Sequence, residues 1–490
     1  MRLSVVLRAW LYSAAATALP ADTYSVFTNS SNHWNAKTAI NFPNSTAFAN
    51  ATTRWNSFDG PTYDISITPG SEADVAKAVT IARSINLPLL GTGGRHAVSI
   101  TLHEMNEGLG IDLSALNSVS VDAKAGTLTV GGGTRFRDIY DAVYDAGYEM
   151  PVGSCACPGV VGASVGAGVG RYQGLHGLII DSLLSVRLVT AEGNVIDASE
   201  DTNSDLFWAI RGAGANFGII TSATYRLHPK TNGGQVVNAD FTFPASSNGS
   251  YFDMIESLQA DMPAELATIT IIEYNGTSGE AQLLANWVYI GPEDEANKYI
   301  KPLLDLNPIN SSISVIPYNN LVNTAAWGLG VEICATVHIN GYGVNYRKLD
   351  SPTYQTVFQR MSDFFARYPD GRSSSIEMEV FAPQAVEALA SNATAYPWRD
   401  SRGYALISFG FNSTETQQAG EEAAEAVRSD FVKTSGYDGL AVYVSYGHGD
   451  ETLEQLFGSN LPRLTQLKNE WDPDNVFRFY HALPTGNSTA

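Results

Sequence analysis

Residues 150–181 read MPVGSCACPGVVGASVGAGVGRYQGLHGLIID, and no other stretch limits so tightly what this chain can fold into. Glycine at this density lets backbone approach backbone, or a ligand, with no Cβ in the way. Between Gly153 and Gly170 the side chains are small and uncharged, which suits packed main chain or a flat, electron-rich ligand. A membrane helix is a third reading, because Gly162 and Gly166 match a small-xxx-small pattern. Pro151 and Pro158 argue against it, and the glycines and alanines carry too little apolar area for a span. Two of the three cysteines, Cys155 and Cys157, open the stretch. Upstream, Gly91-Thr92-Gly93-Gly94-Arg95-His96 ends an apolar run. A function would be built on Cys155 and His96.

With 490 residues the chain is expected to hold two or three folding units. A net charge of −21 argues against nucleic acid, which calls for a basic surface. The first 20 residues carry Arg2, a short apolar run and small residues up to Ala21, the pattern of a secretory leader, although Arg8 interrupts the run. Nine Asn-x-Ser/Thr sequons, at Asn29, Asn44, Asn50, Asn248, Asn275, Asn310, Asn392, Asn412 and Asn487, are acceptors only on the secretory route. A secreted glycoprotein without a membrane span is therefore expected, and a monomer. An odd count of three cysteines leaves at least one thiol unpaired, and Cys-x-Cys without a second ligand pair is a poor zinc site.

Taken in order, residues 22–60 read as a polar surface segment. YDISIT (63–68) alternates as a strand, and Ser71-x-x-Asp74 starts a helix. LPLLG then reads as a buried strand ending in the Gly-Gly-Arg-His turn, a usual ligand position in α/β layers. Short strands at 109–113, 119–121 and 127–130 precede a helix at 136–146. After the glycine stretch come strands at 183–190 and 195–197 and a helix capped by Asp205. Gly212, Gly214 and Gly218 then miss the dinucleotide fingerprint by one residue, so a Rossmann site is not supported. From 233 to 437, strand-like segments such as ATITIIEYN and SIEMEVF alternate with helices near 251–260, 293–304 and 418–433. The expected class is α+β: a leader (1–20), a first domain (60–232), an antiparallel-sheet domain with helices (233–437), and a tail (438–490) returning to the first.

Four stretches carry a family resemblance. GTGGRHAVS, GSCACPGVVGASVGAGVGRYQGLHGLIID, DLFWAIRGAGANFGIIT and RLTQLKNEWDPDNVF resemble segments of the flavin-linked oxidases of the vanillyl-alcohol oxidase type (PCMH-type FAD-binding). Within these the chain is similar to the berberine-bridge-enzyme-like group. The resemblance implies a two-part FAD-binding domain and FAD held by two covalent bonds, from His96 to the 8α-methyl and from Cys155 to C6. It also implies flavin contacts from Gly91, Thr92, Gly93, Gly94, Arg95, Gly159, Gly162, Gly168, Gly170, Asp181 and Ile219. Cys157 competes as the linker, and register favours Cys155. Two departures stand out: Arg95 lies between Gly94 and His96, and Ser445 replaces the family's Asn in Tyr443-Val444-Ser445-Tyr446.

The implied chemistry is hydride transfer from a small organic substrate to flavin, with O2 as acceptor and H2O2 as product. Removal of the hydroxyl proton calls for a base. Tyr443 and Tyr446 are the candidates, and strand geometry would aim only one at the flavin, with Tyr443 preferred. Glu377 and Glu379 share a strand face expected to be solvated. The Gly-Gly-Arg-His turn differs from the Gly-Gly-His-Ser-Tyr of sugar oxidases, which tilts the substrate toward a specialised metabolite. An oligosaccharide oxidase and a redox-neutral FAD-containing cyclase are the alternatives.

Overall fold

The structure, a computed structural model, describes residues 22–486. The expected leader and the sequon at Asn487 lie outside the described residues. The architecture is mixed α+β, with three main sheets. The first holds β1 (Ala39–Asn41), β2 (Tyr63–Thr68), β3 (Leu89–Thr92) and β4 (Gly108–Asp112) in the order β1-β2-β4-β3. β2 and β3 both run parallel to β4. The helix Glu72–Ser84 links β2 to β3; its N-cap Ser71 accepts from the Asp74 amide, as the Ser-x-x-Asp pattern predicts. It buries Val75, Ala78, Val79 and Ala82 on Ile65, Ile67 and Leu109 of the sheet.

The second sheet is antiparallel and comprises β5 (Val119–Asp122), β6 (Thr127–Gly131), β8 (Leu183–Val189), β9 (Val195–Ser199) and β10 (Ile219–Arg226) in the order β5-β6-β10-β8-β9. β7 (Tyr148–Glu149) and β11 (His228–Pro229) form a small separate pair.

The third sheet has seven antiparallel strands: β12 (Gln235–Pro244), β13 (Leu266–Asn275), β14 (Glu280–Tyr289), β15 (Asn310–Pro317), β16 (Ile339–Tyr346), β17 (Ser375–Phe381) and β18 (Gly403–Gly410), ordered β15-β12-β14-β13-β17-β18-β16. Both faces are covered. Ile376, Met378 and Val380 of β17 meet the helices Asn248–Asp261, Ser351–Arg367 and Thr414–Thr434. The opposite face turns toward the first two sheets. There the register aligns Ile271, Glu377 and Leu406 in one cross-strand row and Ile269, Glu379 and Tyr404 in the next.

Four sequence expectations are corrected. Residues 22–60 are not merely surface: Phe27 is fully buried, β1 pairs with β2, and Trp55 reaches the central cavity. Asp205 does not cap its helix. Asn203 holds that position, in a left-handed conformation, and Asp205 instead pairs with Arg463. The helix Ser351–Arg367 is missed by the sequence reading, as are β15 and β16. Finally, Tyr443 and Tyr446 do not lie on a strand, because residues Val444–Tyr446 form a single 3-10 turn. Of the described sequons, Asn29, Asn44, Asn50, Asn310, Asn392 and Asn412 are exposed and Asn248 and Asn275 are half-buried. Among the described residues, no helix is long and apolar enough to cross a membrane.

Candidate active site

A cavity of about 400 Å³ lies where the three sheets meet, within the usual range for small-molecule sites. Its floor is main chain. β3 ends in the Gly93-Gly94 turn, and the two glycine loops pack back to back. A Cβ on Gly94 would sit 2.2 Å from the Gly159 nitrogen, and one on Gly93 would sit 2.6 Å from the Gly132 carbonyl oxygen. These contacts bring together His96 and Cys155, 59 positions apart in sequence.

Arg95 takes the left-handed conformation, φ +56°. Its guanidinium donates to the carbonyls of Asn50, Ala51 and Thr53 and to Asp112 (2.6 Å). It thereby closes the C-terminal end of the helix Thr46–Thr52, where the last carbonyls lack partners and a cation is favoured. The residue that departs from the family turn is thus a brace for the loop carrying His96.

His96 stacks on Trp55, ring centroids 4.2 Å apart, and its Nε2 is buried with no hydrogen-bond partner. Burial, then the nearby Arg135 and Arg54 guanidinium groups, lower its pKa to about 3. The ring is neutral at ordinary pH, as a nucleophilic nitrogen must be. Cys155 is a free, half-buried thiol. Burial pushes its pKa up, while the amides of Cys157 and Ala156 pull the other way. Cys157 is bonded to Cys334, which removes it from competition as a linker. The partnerless buried nitrogen, the free thiol and the open space before Gly162, where an added Cβ would touch nothing within 4 Å, fit a large planar cofactor.

Gly91, Thr92, Gly93, Gly94, Arg95, His96, Cys155, Gly159, Gly162, Gly168 and Ile219 line the cavity, as do Tyr443 and Tyr446. Gly170 and Asp181 do not. Gly170 abuts the Val152 carbonyl, and Asp181 accepts from the Leu178 amide and pairs with buried Arg399 at 2.8 Å. Their place in the family motif is explained by support of the loop from behind.

On the opposite wall the expected solvated face of Glu377 and Glu379 proves to be interior. Glu379 is 1% exposed and accepts from Ser154 Oγ (2.7 Å) and Tyr446 OH (2.8 Å). Burial raises its pKa, opposed by those bonds and by Arg171. Glu377 lines the cavity two residues away. β17 is a central strand flanked by β13 and β18, and the face not covered by helices packs on Ala167, Val169, Leu178 and Ile180 of the glycine stretch and on Tyr443. Tyr443 OH accepts from the Gly168 amide at 3.2 Å, with no carboxylate among its hydrogen-bond partners, so the preference for Tyr443 over Tyr446 loses its geometric basis. Arg171, buried and cavity-lining, donates to Asn286 Oδ1 at 2.9 and 3.2 Å. Sequence reasoning missed Trp55 and Tyr480, which no motif marks, and passed over Ser154 and Arg171 although both lie within the quoted glycine stretch.

Comparisons with known proteins accord with this geometry. A model of the FAD binding domain matches residues 63–199, and one described as berberine and berberine like matches residues 442–484. The chain is similar to the FAD-linked oxidoreductase OXR1 of Pyricularia oryzae, with 44% identity over 92% of this chain and 89% of that protein. It is 42% identical to the FAD-linked oxidoreductase fogF of Aspergillus ruber, over 99% and 98% of the two chains. Among solved structures, the wild-type BBE-like 1 protein of Physcomitrella patens superposes with a TM-score of 0.80 at 21% identity, covering 92% of this chain and 98% of that one. A glucooligosaccharide oxidase from Acremonium strictum, described as carrying a 6-S-cysteinyl, 8α-N1-histidyl FAD, gives a TM-score of 0.79 at 21% identity, covering 91% and 97%. The chain belongs to the berberine-bridge-enzyme-like family of FAD-linked oxidoreductases.

Proposed function

We propose that this oxidoreductase takes a hydride from a small, largely apolar organic molecule, most simply a specialised metabolite bearing an alcohol, and passes the electrons to O2 with formation of H2O2. The observation that carries the reading is the meeting, in one cavity, of a neutral His96 with a partnerless buried nitrogen, the free Cys155 thiol and the Tyr446–Glu379 pair. FAD, when bound, supplies the hydride acceptor. His96 and Cys155 would hold it by two covalent bonds, the arrangement described for the Acremonium strictum enzyme. The glycine turns and Ile219 would lie along it.

The chain's own part is to move one proton. Tyr446 donates its hydroxyl hydrogen to Glu379. Its oxygen can therefore accept the substrate hydroxyl proton while its own proton passes to Glu379, which burial makes a better acceptor than a solvated carboxylate. Ser154 fixes the carboxylate from its other oxygen, and Tyr443, tied to Gly168, shapes the wall.

The substrate side favours a metabolite over an oligosaccharide. Ile269, Ile271, Leu329, Ile333 and Leu406 face the cavity and give a chain of sugar hydroxyls few partners. Secretion is supported by the exposed sequons and by the Cys157–Cys334 disulfide, which suits an oxidising compartment.

The test is to denature the purified protein in acid and ask whether yellow colour stays with the polypeptide, then to map flavopeptides at His96 and Cys155. Peroxide release is next compared for aromatic and aliphatic alcohols against oligosaccharides. Efficient sugar turnover would replace the substrate reading. Substrate consumed without oxygen uptake would make the protein a redox-neutral cyclase. Absence of flavin from folded protein would end the enzyme reading.

A further inference from the structure

Glu377 has no task in the proton path above, yet it lines the cavity in the middle of an apolar cross-strand row, between Ile271 and Leu406. Side chains two apart on a strand share a face, so it stands beside Glu379. The two differ in their partners. Glu379 accepts hydrogen bonds from two hydroxyls, Ser154 and Tyr446, and an acceptor of two O–H donors is the ionised member of a pair. The charged and titratable groups facing Glu377 are Glu379, Arg171, Cys155 and Tyr446. Arg171 alone among them is cationic, and it offsets one carboxylate. Two close carboxyl groups with a single buried countercharge do not both ionise. Burial, then the Glu379 charge, raises the pKa of Glu377, so the proton belongs on Glu377. A carboxylic acid is a hydrogen-bond donor, here set among hydrocarbon and turned toward the space where substrate would bind.

We propose that Glu377 is the specificity-determining residue of the cavity: it donates a hydrogen bond to an uncharged oxygen acceptor, a carbonyl or ether, on an otherwise apolar substrate, and so selects neutral oxygen-bearing molecules over hydrocarbons and over carboxylate anions. This rests on the reading of the cavity as the substrate site. It assigns Glu377 to orientation and leaves proton removal to Tyr446 and Glu379. A substrate lacking the acceptor would leave the acid unpaired, and a site built to hydrogen-bond discriminates strongly against an analogue that cannot.

The test uses the flavin-loaded full-length protein and reads perturbation of flavin absorbance on titration with acetophenone, ethylbenzene and benzoate. The first two differ by the carbonyl, and benzoate adds a charge. The wild type is expected to bind acetophenone about tenfold more tightly than ethylbenzene, the equivalent of one good hydrogen bond. Glu377→Gln keeps a donor and is expected to keep the preference. Glu377→Leu is expected to abolish it while leaving ethylbenzene binding intact, which also shows that the cavity is still formed. Three results would overturn the proposal. One is equal response to acetophenone and ethylbenzene in the wild type, including no response to either. The second is a preference that survives in Glu377→Leu. The third is tighter binding of benzoate than acetophenone, which would make Arg171 an anion clamp. Failure of the oxidase reading would appear separately, as flavin that no alcohol reduces, since these titrations read binding alone.

Discussion

Replacing Tyr446 with Phe removes one oxygen atom and isolates the proton path. In the folded protein Glu379 would lose the 2.8 Å donor and keep Ser154 at 2.7 Å, with Arg171 still nearby. A buried carboxylate that loses one of two hydroxyl donors costs about 1–2 kcal/mol of stability, so the variant should fold. The kinetic cost should be larger. Loss of a positioned proton acceptor lowers a rate by about 10²–10⁴-fold, or about 3–5 kcal/mol of barrier. The assay is anaerobic stopped-flow reduction of the bound flavin by whichever alcohol the peroxide screen identifies, followed by reoxidation with O2 in a second mix. Reduction should slow by at least about a hundredfold, with reoxidation unchanged, because Tyr446 serves only the substrate proton. Glu379→Gln should fall in the same half-reaction. The reasoning would be refuted if Tyr446→Phe reduced within about threefold of wild type while Tyr443→Phe lost about a hundredfold, since the substrate proton would then pass to Tyr443, whose oxygen accepts from the Gly168 amide.

Other expectations follow from the same geometry. The folded-state pKa of His96 is depressed to about 3 from 6.5, so its contribution to stability is present above pH 6.5 and lost as pH falls toward 3. Urea unfolding of flavin-free protein across that window should show a shallower pH dependence in His96→Gln; half-buried His228 and buried His481 contribute in the same direction to both proteins. Arg95→Ala removes bonds to three carbonyls and to buried Asp112. It should cost about 3 kcal/mol by thermal melting and lower flavin retention, with Arg95→Lys only a partial rescue. Cys334→Ser opens a link spanning 177 residues. Chemical denaturation should show a loss of about 2–5 kcal/mol, and peptide mapping of the wild type should recover the Cys157–Cys334 pair with Cys155 outside it. Gly94→Ala places a carbon 2.2 Å from the Gly159 nitrogen, and the purified variant should lack flavin at His96.

Local patterns carried much of the fold. YDISIT is β2 residue for residue, and Ser71 caps the helix that the Ser-x-x-Asp spacing marks. These signals lie within a few residues of chain. The glycine stretch marked the cavity floor for the same reason: close approach of backbone leaves its trace in composition. The opposite wall left none. Whether Glu377 and Glu379 meet water depends on what covers β17, and that is decided by strand order among residues 235–410. Trp55 reads as part of a polar surface segment because its partner, His96, lies across a loop contact that no periodicity reports. The apolar neighbours of the two tyrosines read as a strand, whereas the turn at Val444–Tyr446 aims both at one site, rings 5.1 Å apart.

The contact of Gly94 with Gly159 has a consequence for how this architecture varies among relatives. The separation between His96 and Cys155, the two proposed attachment points, is gauged by peptide against peptide where Gly94 meets Gly159, with no side chain between those glycines. Amino-acid replacement elsewhere can proceed almost freely without altering that gauge, in keeping with superpositions near 0.8 at about 20% identity. Lengthening either loop by one residue is another matter. It would shift His96 relative to Cys155, and only a matching change in the second loop would let both reach a single ring as the proposed linkage requires.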